Sequence, residues 1–183
     1  MKDINVRQTN LIIQTQILKN AFLFECILNN IDTKRFIKEI EVGINQFDNM
    51  NYKTNAQGHM TKWTYFSKDR QLNQALSVCI DHFNLDNYLG KSCLEDAWGL
   101  KMVEHGYTMP HDHGAAPVSG VLYLNTVKGC YLELPDFKRK IAIEKNKIVF
   151  FSGHATHKTS RIIGDKVKYA ISFNFKQVKD WNN

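Results

Sequence analysis

Residues 97–125 read AWGLKMVEHGYTMPHDHGAAPVSGVLYLN, and the reading of this stretch decides the fold. Two short runs rich in branched and aromatic residues, 97–105 and 117–125, are separated by Gly106, Pro110 and Gly114, residues that interrupt helices and punctuate strands. Between the runs stand His111, Asp112 and His113. On an extended segment residues two apart point the same way, so both imidazoles can meet one ion while Asp112 faces the opposite side.

Moving outward, the same texture continues in GCYLELPD (129–136), KIAIEK (140–145), KIVFFSG (147–153) and KVKYAISFNF (166–175). Strands this short at this spacing predict an all-β second half. The first half mixes strand-like runs, LIIQTQIL (11–18) and AFLFECIL (21–28), with two helical patterns. These are TKRFIKEIEVGINQF (33–47), with Asp32 or Thr33 as N-cap, and SKDRQLNQALSVCIDHF (67–83), with Ser67 as N-cap. The fold class expected is mainly β with flanking helices, a two-sheet jelly roll or cupin-like barrel. One domain is expected over 1–183, with 1–92 as helical and strand support and 93–178 as the barrel core.

In such a barrel alternate residues face inward. Along the last strand Lys168, Ala170, Ser172 and Asn174 share one face, and Val167, Tyr169, Ile171, Phe173 and Phe175 share the other. The apolar face belongs against the helices. The polar face therefore looks into a cavity, where a lysine needs an anionic partner. Ser119, Val121 and Tyr123 share a face of their strand in the same way.

Of seven histidines, His111, His113 and His157 make a facial set of metal donors that leaves coordination positions open, as catalysis requires. His154 is the alternative to His157, while His59, His82 and His105 are read as surface or hydrogen-bonded residues.

The quoted segments, taken together over 97–175, resemble the double-stranded β-helix core of Fe(II)- and 2-oxoglutarate-dependent oxygenases. The resemblance is nearest to prolyl-4-hydroxylase-like oxygenases of phage and bacteria: H-x-H, six residues on S-G-x-x-Y, then F-x-S leading to a distal histidine, then a basic residue opening an S-F-N strand. It implies that His111, His113 and His157 bind Fe(II) and carry the catalysis. It also implies that Lys168 and Tyr123 hold the distal carboxylate of 2-oxoglutarate, with Ser172 and Asn174 beside them on the cosubstrate-binding face.

The activity implied is oxidation by O2, with 2-oxoglutarate converted to succinate and CO2 and a substrate carbon hydroxylated. One departure stands out: most of that superfamily carries H-x-D, where this chain has H-x-H. The resemblance favours a protein or peptide substrate over a small molecule, and the rest of the substrate's identity stays open, as does the oligomeric state.

Two rival readings share part of this pattern. A cupin-type metalloprotein or a three-histidine thiol dioxygenase would use the same histidines, yet a cupin expects a glutamate where Pro117 and Val118 stand. A non-catalytic polyanion-binding module, nucleic acid included, would use residues 138–168, which hold nine basic residues against Glu144 and Asp165 in a chain of formal charge +6.

Hydrophobic residues at 43% and charged residues at 23% are ordinary for a globular protein. The sequence shows no apolar run of the roughly 20 residues that a membrane helix needs, and the N-terminal MKDINVRQTN carries no apolar h-region. Cys26, Cys79, Cys93 and Cys130 make no C-x-x-C pair. These features lead to an expectation of no membrane partner and of a cytoplasmic location, or a host's cytoplasm for a phage-encoded member.

Overall fold

Alternation along the strands sorts the side chains into two layers. The structure, a computed structural model, describes residues 3–14, 21–46, 54–85 and 90–178. In chain order the elements are β1 (Val6–Gln14), β2 (Ala21–Leu28), α1 (Thr33–Gln46), β3 (Ala56–Gln57), β4 (His59–Met60) and α2 (Arg70–Phe83). There follow β5 (Ser92–Met102), β6 (Tyr107–His111), β7 (Val118–Tyr123), β8 (Tyr131–Leu134), β9 (Arg139–Ala142), β10 (Lys147–Ser152), β11 (His157–Thr159) and β12 (Lys168–Gln177). A single 3₁₀ turn over Pro135–Phe137 joins β8 to β9.

Two antiparallel sheets form the expected jelly roll. The larger runs β1-β2-β10-β7-β12-β5-β4 and the smaller β3-β6-β11-β8-β9. The strand expected over 11–18 is described only as far as Gln14; the rest of that run lies outside the described residues. The first half is part of the barrel wall, because β2 pairs with β10 from Lys147↔Ile27 to Phe151↔Leu23.

The helices cover the outer face of the large sheet. Phe36 and Ile40 of α1 and Leu72, Leu76 and Cys79 of α2 share one buried cluster with Leu122, Phe150, Ile171, Phe173 and Phe175. At α1 the expected cap holds, since Asp32 Oδ1 accepts from the Arg35 amide at 3.0 Å. At α2 the cap is Asp69, whose carboxylate accepts from the Leu72 amide at 2.8 Å, and the expected Ser67 lies in the preceding turn. Ser67 cannot serve because residues 63–68 form turns that delay the first helical residue to Arg70. Asp69 is fixed as well by Arg35, which donates to both its oxygens.

Inside the roll a second cluster holds Leu23, Val121, Tyr123, Leu132, Leu134, Phe151 and Ala170 between the sheets. Gly120 is required where β7 passes β12, because a Cβ there would collide with the Phe173 ring and the Val149 carbonyl. The four cysteines are free, with Cys26 and Cys79 meeting at 3.8 Å between β2 and α2. Among the described residues no helix is long and apolar enough to cross a membrane.

The basic segment 138–168 is partly engaged by carboxylates and partly buried. Lys147 and Lys168 are buried. Arg139 and Lys147 meet Glu25, Lys140 and Lys158 meet Glu133, and Arg161 lies over the Tyr107 ring.

Candidate metal centre

The two ends of neighbouring strands assemble the histidines. His111 closes β6 and His157 opens β11, and the two residues pair directly across the ladder. His113 lies two residues beyond β6, where its amide donates to the Gly153 carbonyl at 2.7 Å. Gly153 permits this approach, since a Cβ there would run into the Ala116 carbonyl. The three side chains each offer a nitrogen, and these atoms lie within 4.8 Å of one another.

Which nitrogen each ring offers follows from its other contact. The His111 Nδ1 lies 2.8 Å from the Met109 carbonyl and the His157 Nδ1 3.1 Å from the Ala155 carbonyl. A carbonyl can only accept, so each Nδ1 carries the hydrogen and each Nε2 keeps its lone pair. This contact fixes ring orientation, as at metal centres generally. Burial pushes His157 down to about 3 and His113 down to about 4, with the neighbouring His111 imidazole acting in the same direction. Both rings are therefore neutral donors at pH 7.

Asp112 borders the cavity without joining the trio. It is exposed, and its Oδ1 accepts from the Gly114 amide at 2.9 Å, which holds the turn that carries His113. His154 is exposed as well and outside the trio, as are His59, His82 and His105.

The trio opens into a cavity of about 270 Å³ that runs between the sheets. Tyr123, Lys168 and Ser172 line it, as alternation predicts. Asn174 does not; its side-chain oxygen accepts from the Ser119 hydroxyl at 2.7 Å inside the sheet. The expectation that Asn174 reaches the cavity is corrected by this pairing: it keeps the face of Ser172 but is taken up by Ser119, its direct partner on β7.

Lys168 is 2% exposed, and its ammonium touches the Thr159 hydroxyl at 3.4 Å. Among the described residues no carboxylate lies within 4.0 Å of it. Burial lowers its pKa to about 8. The Tyr123 hydroxyl is buried without a hydrogen-bond partner, and burial raises its pKa. A buried cation and an unsatisfied donor in one cavity each carry a cost that an anionic acceptor would remove.

Four cavity-lining positions escape the sequence reading. Thr159 is two residues beyond His157 on β11, so alternation alone could nominate it. Phe151 packs its ring 4.5 Å from His157. Trp98 lies 6.5 Å from His113 and meets Trp63 edge-on at 4.5 Å, and both indoles line the cavity. Nothing local marks Trp63, which reaches the cavity from the turn after β4.

The residues present fit a divalent metal with an anionic ligand. Three neutral nitrogens converge and leave coordination positions free, and a cation with a spare hydroxyl stands deeper in the same cavity.

No protein-family model matches the sequence, and no curated protein matches it. Solved structures share its fold. The viral collagen prolyl hydroxylase of Paramecium bursaria Chlorella virus-1, in its 2OG complex, superposes with a TM-score of 0.63 at 15% identity, over 80% of this chain and 90% of its own. A prolyl-4-hydroxylase from Pseudomonas putida gives 0.54 at 15% identity, over 81% and 88%. The non-heme α-ketoglutarate-dependent carbocyclase SnoK gives 0.61 at 10% identity, over 85% and 79%. The fold is thus the jelly roll of the 2-oxoglutarate oxygenases, prolyl hydroxylases included.

Proposed function

We propose that this chain is an Fe(II)- and 2-oxoglutarate-dependent oxygenase that hydroxylates its substrate. The observation that carries the reading is Lys168, a fully buried ammonium without a carboxylate in reach, in the same cavity as three converging imidazoles. Cupins and thiol dioxygenases account for the histidines but give no reason for that lysine.

His111, His113 and His157 hold the iron through their free ring nitrogens. Bound there with 2-oxoglutarate and O2, iron supplies the oxidising chemistry that turns 2-oxoglutarate into succinate and CO2 and hydroxylates a C–H bond. The chain's own residues bind and orient. Lys168 pairs with the distal carboxylate of 2-oxoglutarate, and the Tyr123 hydroxyl donates to it, which satisfies both groups at once. Ser172 borders the same end of the cavity, whereas Asn174 acts one step away by holding Ser119.

Thr159 joins the two halves of the site. It touches Lys168 and lies two residues along β11 from His157, about 6.6 Å on an extended strand, a span suited to a five-carbon dicarboxylate. Val121, Leu132 and Phe151 line the cavity between and keep water out. At the open end Trp63, Trp98 and Met60 form the wall a substrate would meet.

A peptide is the favoured substrate. A prolyl hydroxylase of this fold from Trichoplax adhaerens, with a TM-score of 0.52 at 16% identity, is in complex with a hypoxia inducible factor peptide fragment. The polyanion reading is weakened where Arg139, Lys140, Lys147 and Lys158 are engaged by carboxylates and Lys168 is buried in the cavity. Free thiols, with Cys93 exposed, accord with a cytoplasmic location.

Anaerobic titration of the Fe(II)-loaded protein with 2-oxoglutarate tests the proposal by the visible charge-transfer band of the chelate. Absence of the band would sink it. Lys168→Ala should weaken 2-oxoglutarate while sparing iron binding.

A further inference from the structure

We infer that the centre is anion-coupled: the divalent metal is held firmly only when a dicarboxylate occupies the same cavity, because His113 places a neutral imidazole where a carboxylate would offset part of the metal's charge. The inference rests on the oxygenase reading above and adds how the site is loaded.

The argument is one of charge. The donor set is entirely neutral, since the His111 and His157 rings commit their Nδ1 hydrogens to the Met109 and Ala155 carbonyls. Among the described residues no aspartate or glutamate joins the trio. The nearest in sequence, Asp112, borders the cavity but is exposed to solvent and engaged with the Gly114 amide, outside the donor set. The cavity already holds the Lys168 ammonium, and apolar side chains from Val121, Leu132 and Phe151 line the space around it.

A dication entering alone therefore adds two positive charges near a third, in surroundings that screen charge poorly. A dianion chelated to the metal and paired with Lys168 cancels most of that excess. Each ligand then strengthens the other by the same factor, as linkage demands. A carboxylate at position 113 would neutralise the metal before the anion arrives and weaken the coupling. The physiological consequence is a protein that keeps its metal when the dicarboxylate is abundant and releases it when the dicarboxylate is scarce.

The test uses Mn(II), which needs no turnover, in calorimetric titrations of the full chain with and without saturating 2-oxoglutarate. Wild type should bind Mn(II) tighter with 2-oxoglutarate by roughly a factor of one hundred. His113→Asp, and His113→Glu with its longer reach toward the imidazole nitrogen's position, should bind Mn(II) alone more tightly than wild type. Both should show a gain smaller by roughly tenfold. Lys168→Met should also raise the affinity for Mn(II) alone and reduce the gain, without altering the donor set.

An equal gain in wild type and the carboxylate variants, with the Fe(II) charge-transfer band present, overturns the coupling and leaves the oxygenase reading standing. Loss of Mn(II) binding in both carboxylate variants also overturns it, since the position is then not exchangeable for a carboxylate. If 2-oxoglutarate produces neither the band nor any change in Mn(II) affinity, both readings fall.

Discussion

On the helix side of β12, Ile171, Phe173 and Phe175 are at most 5% exposed and pack with Phe36, Ile40 and Leu72. On the cavity side of the same strand, Lys168 and Ala170 are just as withdrawn from water but share a cavity with Tyr123, Thr159 and the three histidines. One face buries apolar surface at roughly 25 cal/mol per Å² and leaves little unsatisfied. The other buries a cation, an orphan hydroxyl and two imidazoles held neutral. The difference teaches that burial is not one kind of contribution: the first face stabilises the fold, and the second is kept unstable in a way that a ligand relieves.

The comparison breaks most severely on the apolar side. Phe173→Ala should cost about 3–5 kcal/mol, read as a lower urea midpoint, because it empties the space against Phe150 and Gly120. A loss below 1 kcal/mol would show that this face is not the stabilising one.

On the cavity side the sign reverses. Lys168→Met should stabilise the ligand-free protein by about 2–3 kcal/mol at pH 7 and shift the 2-oxoglutarate charge-transfer titration to higher concentration. The magnitude follows from the lysine's fall from 10.5 to about 8, which corresponds to about 3 kcal/mol. Destabilisation by this variant would mean that the contact with the Thr159 hydroxyl outweighs the cost of burying the ammonium.

The same lysine carries a pH dependence. Between pH 8 and 10.5 the unfolded chain keeps this proton and the folded chain has released it, so wild-type stability should rise with pH across that window. The penalty is fully present below pH 8. Urea midpoints of wild type should climb toward those of Lys168→Met from pH 8 to 10, and parallel curves would refute the assignment.

Tyr123→Phe should have the smallest effect on the fold. Removing an unpaired buried hydroxyl should raise stability by about 1 kcal/mol while weakening 2-oxoglutarate severalfold in the anaerobic titration. Unchanged affinity would remove Tyr123 from the anion site.

Much of this was readable along the chain. The choice of two faces on β12 and the inward turn of Tyr123 follow from a period of two, which the covalent geometry imposes on any extended segment, while His113, just past the end of β6, meets His111 with its amide held by the Gly153 carbonyl. The period gives a face and not a partner, so Asn174, on the expected face, bonds to Ser119 across the ladder and misses the cavity. Capping is equally local, yet Asp69 took the role expected of Ser67 because the turn before α2 and the bond from Arg35 lie outside any helical pattern.

What the sequence determined alone was therefore the class of fold, the identity of the three imidazoles and the side of each strand that carries chemistry. What only the tertiary structure decided was who meets whom across the sheets: Thr159 against Lys168, Trp98 beside His113, Arg139 and Lys147 with Glu25, and Lys140 and Lys158 with Glu133. The physical reason is that alternation encodes a direction from the strand, whereas partners are set by register and by the approach of two sheets, through residues far apart in the chain.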